Sequence, residues 1–306
     1  MDVGAFLPLF LPLLSWPLAR LITARSWPRA ASWLLAATAL ALVIGSTTVL
    51  ALLTASGLSA IPRVAAAGDW SAQAMQEMEM ASEPVELVGG LLLVVALIRL
   101  AIAGIRCLRW VRELRAAAAE SATELVVVDG GSLAVAVPFN GGRIVVARQL
   151  LAELDSGEIR ALLAHERAHL RNRHHWFLAV NGLAVALNPL VRPIRTALEF
   201  AVERWADEVA ATEVGDRRLV ATTLAKVALA SRGTTRLGLA ATGGSVPRRV
   251  SALLSEGAPR HWGARWGAIL GVTAALVVAM WSAQATFEAT ADLHADIEAA
   301  SLAYHQ

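Results

Sequence analysis

The chain has 306 residues, 56% of them hydrophobic and 17% charged, with a formal net charge of +2. A mean hydropathy of +0.54 is more than a soluble globular chain carries, so the composition excludes an ordinary water-soluble protein. The near balance of charge argues against a nucleic-acid partner despite a pI of about 9.3, and the single cysteine, Cys107, excludes an intramolecular disulfide.

Four apolar stretches, residues 3–21, 31–54, 87–105 and 266–287, are long enough to cross about 30 Å of hydrocarbon. The first contains Pro8, Pro12 and Pro17, yet no basic segment precedes it and no A-x-A site ends it, so residues 1–22 are read as a retained span rather than a signal peptide. Arg20, Arg25 and Arg29 join the first two stretches, and Arg106, Arg109, Arg112 and Arg115 follow the third. The loop between the second and third, and the tail after the fourth, are acidic. Arginine accumulates on the cytoplasmic side of short loops, which predicts both chain ends outside. Arg99, inside the third stretch, is read as an anchor that snorkels toward its cytoplasmic end. Trp16, Trp33, Trp70, Trp262 and Trp266 fall near span ends, as an aromatic belt requires.

Residues 116–264 are long enough for one hydrophobic core on the cytoplasmic side, between a membrane domain at 1–115 and a closing span with a short tail at 265–306. Valine-rich runs at 125–128, 133–137 and 144–146, separated by Gly130-Gly131 and Asn140-Gly141-Gly142, predict a small antiparallel sheet. The run at 133–137 is the candidate edge strand for pairing with a peptide substrate. Asp155-Ser156-Gly157-Glu158 is a capping box, and Ile159, Leu162, Leu163 and Leu170 continue at helical spacing.

That helix carries His165-Glu166-Arg167-Ala168-His169. Two histidines one turn apart leave the same face and can close on one metal, with Glu166 beside them as a base. A catalytic zinc takes three protein ligands and keeps a fourth place for water. Glu203 and Asp207 are also one turn apart, in a helical segment at about 195–212 that follows Asn188-Pro189 and Pro193. One of these carboxylates can ligate while the other supports, and Asp207 is placed to hold the far nitrogen of a ligand histidine. The apolar stretch 176–191 between the two motifs is too short to cross twice. A single crossing would put the ligands on opposite faces, so the stretch is a core, interfacial or re-entrant helix and the site is expected to face the cytoplasm.

In their order along the chain, these segments resemble the membrane-embedded gluzincin metallopeptidases of the BlaR/MecR antirepressor family. The resemblance rests on three spans, Asp155 through His169, Asn-Pro-Leu-Val at 188 to 191, Glu-Arg-Trp-Ala-Asp at 203 to 207, and a closing span. It implies a four-span α-helical membrane protein with a cytoplasmic α+β zincin-like (gluzincin) domain, and one Zn2+ per chain held by His165, His169 and Glu203. Glu166 would be the catalytic base and Asp207 the supporting carboxylate. The partners implied are the lipid bilayer and a protein substrate on the cytoplasmic side, of repressor type. His174 stands where relatives often have aspartate, and the residues after the last span leave no room for a β-lactam sensor domain. HtpX-like quality-control proteases are the alternative family, and a non-catalytic membrane scaffold is the alternative class. Pro247-Arg248-Arg249-Val250 resembles a segment of both families, with Arg249 a candidate oxyanion donor or, equally, a surface or phosphate-facing arginine.

Overall fold

The computed structural model describes residues 6–73, 82–119, 123–129, 134–138, 141–230 and 245–255, with isolated helical positions between 273 and 302. The expected fourth span at 266–287 lies outside the described residues apart from those positions, as do Leu133, Gly130, Gly131, Asn140, Trp262 and Trp266.

Among the described residues, three helices are long and apolar enough to cross a membrane: Leu7–Arg25, Pro28–Ser59 and Glu83–Glu113. The first is assembled from α1 (Leu7–Phe10), a 3-10 turn (Leu11–Leu14) and α2 (Ser15–Arg25). Pro8 and Pro12 open their own first turns, where a missing N–H costs no helical hydrogen bond. The second, α3 (Pro28–Ser59), likewise starts on proline. Its last turn is closed by the Trp70 indole, which donates to the Ser59 carbonyl at 2.9 Å just after α4 (Pro62–Gly68).

The third is α5 (Glu83–Ala119), which packs against α3 through small residues. Gly57 lies against Glu86, Gly89 against Leu53 and Gly90 against Thr54, so the two helices run antiparallel in close contact. Ser56 donates to the buried Glu86 carboxylate at 2.6 Å. Small residues and polar cross-links of this kind join helices where lipid offers no hydrophobic drive for association.

The sheet has three strands, β1 (Leu125–Val128), β2 (Ala134–Val137) and β3 (Arg143–Ala147), in the order β1-β3-β2. The expected all-antiparallel sheet is corrected to a mixed one. β2 and β3 form the antiparallel pair joined through Gly141 and Gly142, both at positive φ, while β1 runs parallel to β3. The turn glycines determine only the β2–β3 hairpin. β1 pairs with the other edge of β3, which leaves β2 at the edge beside the metal-motif helix.

The remaining helices are α6 (Arg148–Glu153), α7 (Ser156–Arg171), α8 (His174–Leu187), a 3-10 turn (Pro189–Val191), α9 (Arg192–Val214), α10 (Arg217–Ala230) and α11 (Val246–Leu254). α8 and α9 form a hairpin laid against α3, and α8 also packs on α5. A single buried cluster therefore includes Leu35, Ala39 and Leu42 of α3, Phe177 and Val185 of α8, and Ile194, Leu198 and Trp205 of α9. The helices that carry the site chemistry share a core with the apolar spans. A second cluster joins α7, α9, α10 and α11, and a third seats the sheet on α6 and α7.

Candidate metal centre

α7 begins where its sequence says it should. The Asp155 side chain accepts from the Gly157 and Glu158 amides at 2.8 Å each, and the Glu158 carboxylate accepts from the Asp155 amide at 3.0 Å. The buried Glu158 is also paired with Lys226 of α10. Starting there, the helix presents His165 and His169 on one face, one turn apart. α9 crosses that face and brings Glu203 and Asp207 to it.

The three expected ligands converge. The Nε2 atoms of His165 and His169 are 3.2 Å apart, and the Glu203 oxygens lie 3.5 Å from His165 Nε2 and 3.7 Å from His169 Nε2. Among the described residues these form the one group of three able to hold a metal ion. A tetrahedral zinc with bonds of about 2.0–2.1 Å has ligand edges of about 3.3 Å, so the spacing fits. The charge fits as well. Glu166, Glu203 and Asp207 in their ionised forms stand against one buried guanidinium, Arg249, and a dication would bring the cluster to neutrality.

Each histidine has a partner on its far nitrogen. His165 Nδ1 is 3.2 Å from Asp207 Oδ1, where a carboxylate accepts the ring N–H and fixes the tautomer with Nε2 free. His169 Nδ1 is 3.1 Å from Nδ1 of His174, which is fully buried. Arg173 makes this contact possible: its backbone adopts φ 53°, ψ 41°, and this left-handed turn folds the start of α8 back on the end of α7. With His169 donating from Nδ1, the His174 proton sits on Nε2, which has no hydrogen-bond partner among the described residues. The Trp205 ring lies 4.7 Å from the His174 ring, centroid to centroid. His174 thus supports His169 as a neutral imidazole, a weaker acceptor than a carboxylate.

Arg249 is the residue whose place the sequence misread. It is 3% exposed, and its Nε and Nη2 form a fork on Asp207 at 2.8 and 2.7 Å while Nη1 reaches Glu203 at 2.9 Å. It is neither a surface arginine nor a free oxyanion donor. Its donors are committed to the site carboxylates, a bidentate geometry that suits a guanidinium. No local pattern around 247–250 signals this, because the contact spans more than forty residues of chain.

Burial depresses His165, but hydrogen bonds to Asp207 and Glu203 more than reverse it and lift the imidazole to about 10. His169, with no such carboxylate contact on its far nitrogen, is held down to about 4 by burial, only partly offset by Glu203. Burial would raise Glu203 and Asp207, yet the histidines and Arg249 outweigh it and hold both carboxyls below their usual range. Glu166 moves the other way. Burial pushes it up, against His165 and a hydrogen bond from the Ala136 amide of β2. The expected base is therefore a carboxylate held above its ordinary range by burial and tied by its backbone partner to the edge strand.

Residues 106–183 match the family model for Peptidase family M48. No curated protein and no solved structure matches the chain. The matched segment runs from the end of α5 through the sheet and the histidine motif into α8 and stops before Glu203. It supports hydrolase chemistry of the zinc metalloprotease kind, and the three apolar helices accord with a membrane protein.

Proposed function

We propose that the chain is an integral membrane zinc endopeptidase that cleaves a protein at the cytoplasmic face. The observation that carries this reading is the convergence of His165, His169 and Glu203 with Glu166 beside them. A zinc ion held there would act as a Lewis acid and lower the pKa of water. Glu166 would take the proton of the attacking water and pass it to the leaving amine, a role helped by the rise in its proton affinity that burial causes. Asp207 and His174 orient the ligand rings, and Arg249 keeps Asp207 and Glu203 ionised.

β2 is the strand we place against the substrate. It is the sheet edge nearest the motif helix, and an extended peptide adding to it would bring its scissile bond over Glu166. The cytoplasmic assignment follows from the arginines at 20–29 and 106–115. A regulatory, repressor-type substrate is favoured by the order of motifs shared with antirepressors. The second reading, clearance of membrane proteins, is favoured by the core that the site helices share with the spans.

Two variants test the chemistry. His165→Ala should lose bound zinc in elemental analysis of the purified protein, whereas Glu166→Gln should keep it and lose cleavage of a cytoplasmic extract by about 100-fold or more. Equal zinc in His165→Ala, or parental cleavage by Glu166→Gln, would refute the assignment.

A further inference from the structure

The hairpin between the two halves of the metal centre ends in an irregular turn, and its backbone accounting is unusual. In a continuing helix the Val185 carbonyl would accept from residue 189, but Pro189 has no N–H. The Ala186 carbonyl would accept from residue 190, but the Leu190 amide is taken by the Asn188 side chain at 3.0 Å. At a helix end in water, solvent satisfies such carbonyls. Here Arg99 of α5 does so, with Nε 3.0 Å from the Ala186 oxygen and Nη2 3.5 Å from that of Val185. Ser15 of α2 donates to the Leu190 carbonyl, and Asn188 Nδ2 donates to Ser46 of α3 at 3.0 Å. Three apolar helices thus each lend one polar side chain to the same turn. Arg99, whose position suggests a snorkelling anchor, is exposed as a residue yet sets its guanidinium at the carbonyl end of α8, where the helix dipole is negative.

The depth of this turn follows from helix register. Exposed apolar residues of α5 run from Val85 to Leu108, about 35 Å at 1.5 Å per residue, which is enough to cross the hydrocarbon. Arg99 lies within about 5 Å of the middle of that run. Continued at equal rise, the α3–α5 contacts put Trp33 level with Trp110, and the Arg99–Ala186 contact puts Trp176 level with Arg109. Those three tryptophans are 60%, 50% and 61% exposed and define one aromatic level. The metal centre lies at that level. Trp33 meets Phe177 edge-on at 4.8 Å, Phe177 faces Trp205, and Trp205 contacts His174 beside His169.

We propose that residues 174–191 form a re-entrant segment that enters the bilayer from the side of the metal centre, with its apex held near mid-depth by Arg99, Ser46 and Ser15 and its exposed Leu190 facing acyl chains. Irregular backbone is tolerated at that depth only where protein or a watery cavity satisfies it. The charges of α9 near the apex are only partly covered by protein: Arg195 is paired with Glu199 at 2.9 Å and lies across Gly182 of α8, but both side chains are 39% exposed, and with the exposed Arg192 they need water within reach. The bilayer surface would then pass through the first turn of α8, leaving the metal centre at headgroup level.

Depth can be read without any substrate. In a Cys107→Ser background, a bimane probe on Leu190→Cys in phosphatidylcholine vesicles should be quenched about twofold or more better by a nitroxide deep in the acyl chain than by one on the headgroup, and Trp176→Cys should show the reverse. Preferential quenching of the Leu190 probe by the headgroup nitroxide, or by aqueous iodide, would overturn the proposal in favour of a surface-lying helix. Adding Arg99→Met should move the Leu190 probe toward the headgroup label, and Arg99→Lys should restore part of its depth; an unmoved probe would remove Arg99 from the clasp. Only variants with parental zinc content are compared. The Glu166→Gln protein should give the same depth profile as its parent, so failure of the protease reading and failure of this one are distinguishable.

Discussion

Asp207 and Arg249 show how much one long-range pair can rest on two residues. Asp207 is fully buried and accepts from both His165 and Arg249, so its charge is compensated twice. Removing one partner of a buried pair leaves the other uncompensated and typically costs about 3–5 kcal/mol. Arg249→Ala should therefore lower the thermal midpoint strongly in detergent, whereas Arg249→Lys, which keeps the charge but loses the fork, should fall between it and the parent. An Arg249→Ala protein as stable as the parent would mean that the pair does not form. Asp207→Asn should lower zinc affinity or activity by roughly 10- to 100-fold, the usual effect of an outer carboxylate. The raised His165 gives a pH dependence. Without metal it carries a proton below about 10, and a metal must displace that proton, so higher pH favours binding. Apparent zinc affinity, measured against a competing chelator, should rise from pH 6.5 to 8.5 by up to about tenfold per unit. A flat profile would show that His165 is already neutral.

The elements were legible in proportion to how local their signals are. The capping box at Asp155 and Glu158 placed the start of α7 correctly, since both partners lie within one turn. Asn188-Pro189 likewise marked the end of α8, because proline cannot continue a helix. The end of α9 is set by Gly215 at φ 78°, a left-handed position with open space around its Cα. Gly215→Ala should fit sterically yet cost about 1 kcal/mol from backbone strain, read as a small drop in thermal midpoint. No drop would indicate that the turn relaxes. Sheet topology was less legible. The alternation within 125–147 is compatible with either edge of β3, and pairing along a strand is decided by what packs above and below it.

At the scale of the molecule, the helices of the candidate metal centre and the apolar helices form one packed body. Leu198 and Trp205 of α9 are buried in the same cluster as Leu35 and Leu42 of α3, so the site cannot shift far relative to the apolar helices without opening that core. The charge bias of the loops predicts an orientation that can be tested directly. A reporter active only in the cytoplasm should function when fused after Arg115 and be silent after Asp69, with the opposite pattern reversing the orientation.

The sequence by itself determined the apolar, membrane-type composition, the three described apolar helices, the histidine motif on a capped helix and the identity of the five acidic and histidine groups of the candidate metal centre, because composition, hydrophobic runs and one-turn spacings are local properties. Tertiary structure alone decided the rest. It set His174 behind His169, turned Arg249 inward onto Asp207 and Glu203, made the sheet mixed, and sent Arg99 to the carbonyl end of α8. Each of these joins atoms brought together by packing, and most join residues far apart in the chain. A buried charge or an orphaned carbonyl takes whichever partner the packed helices place within reach.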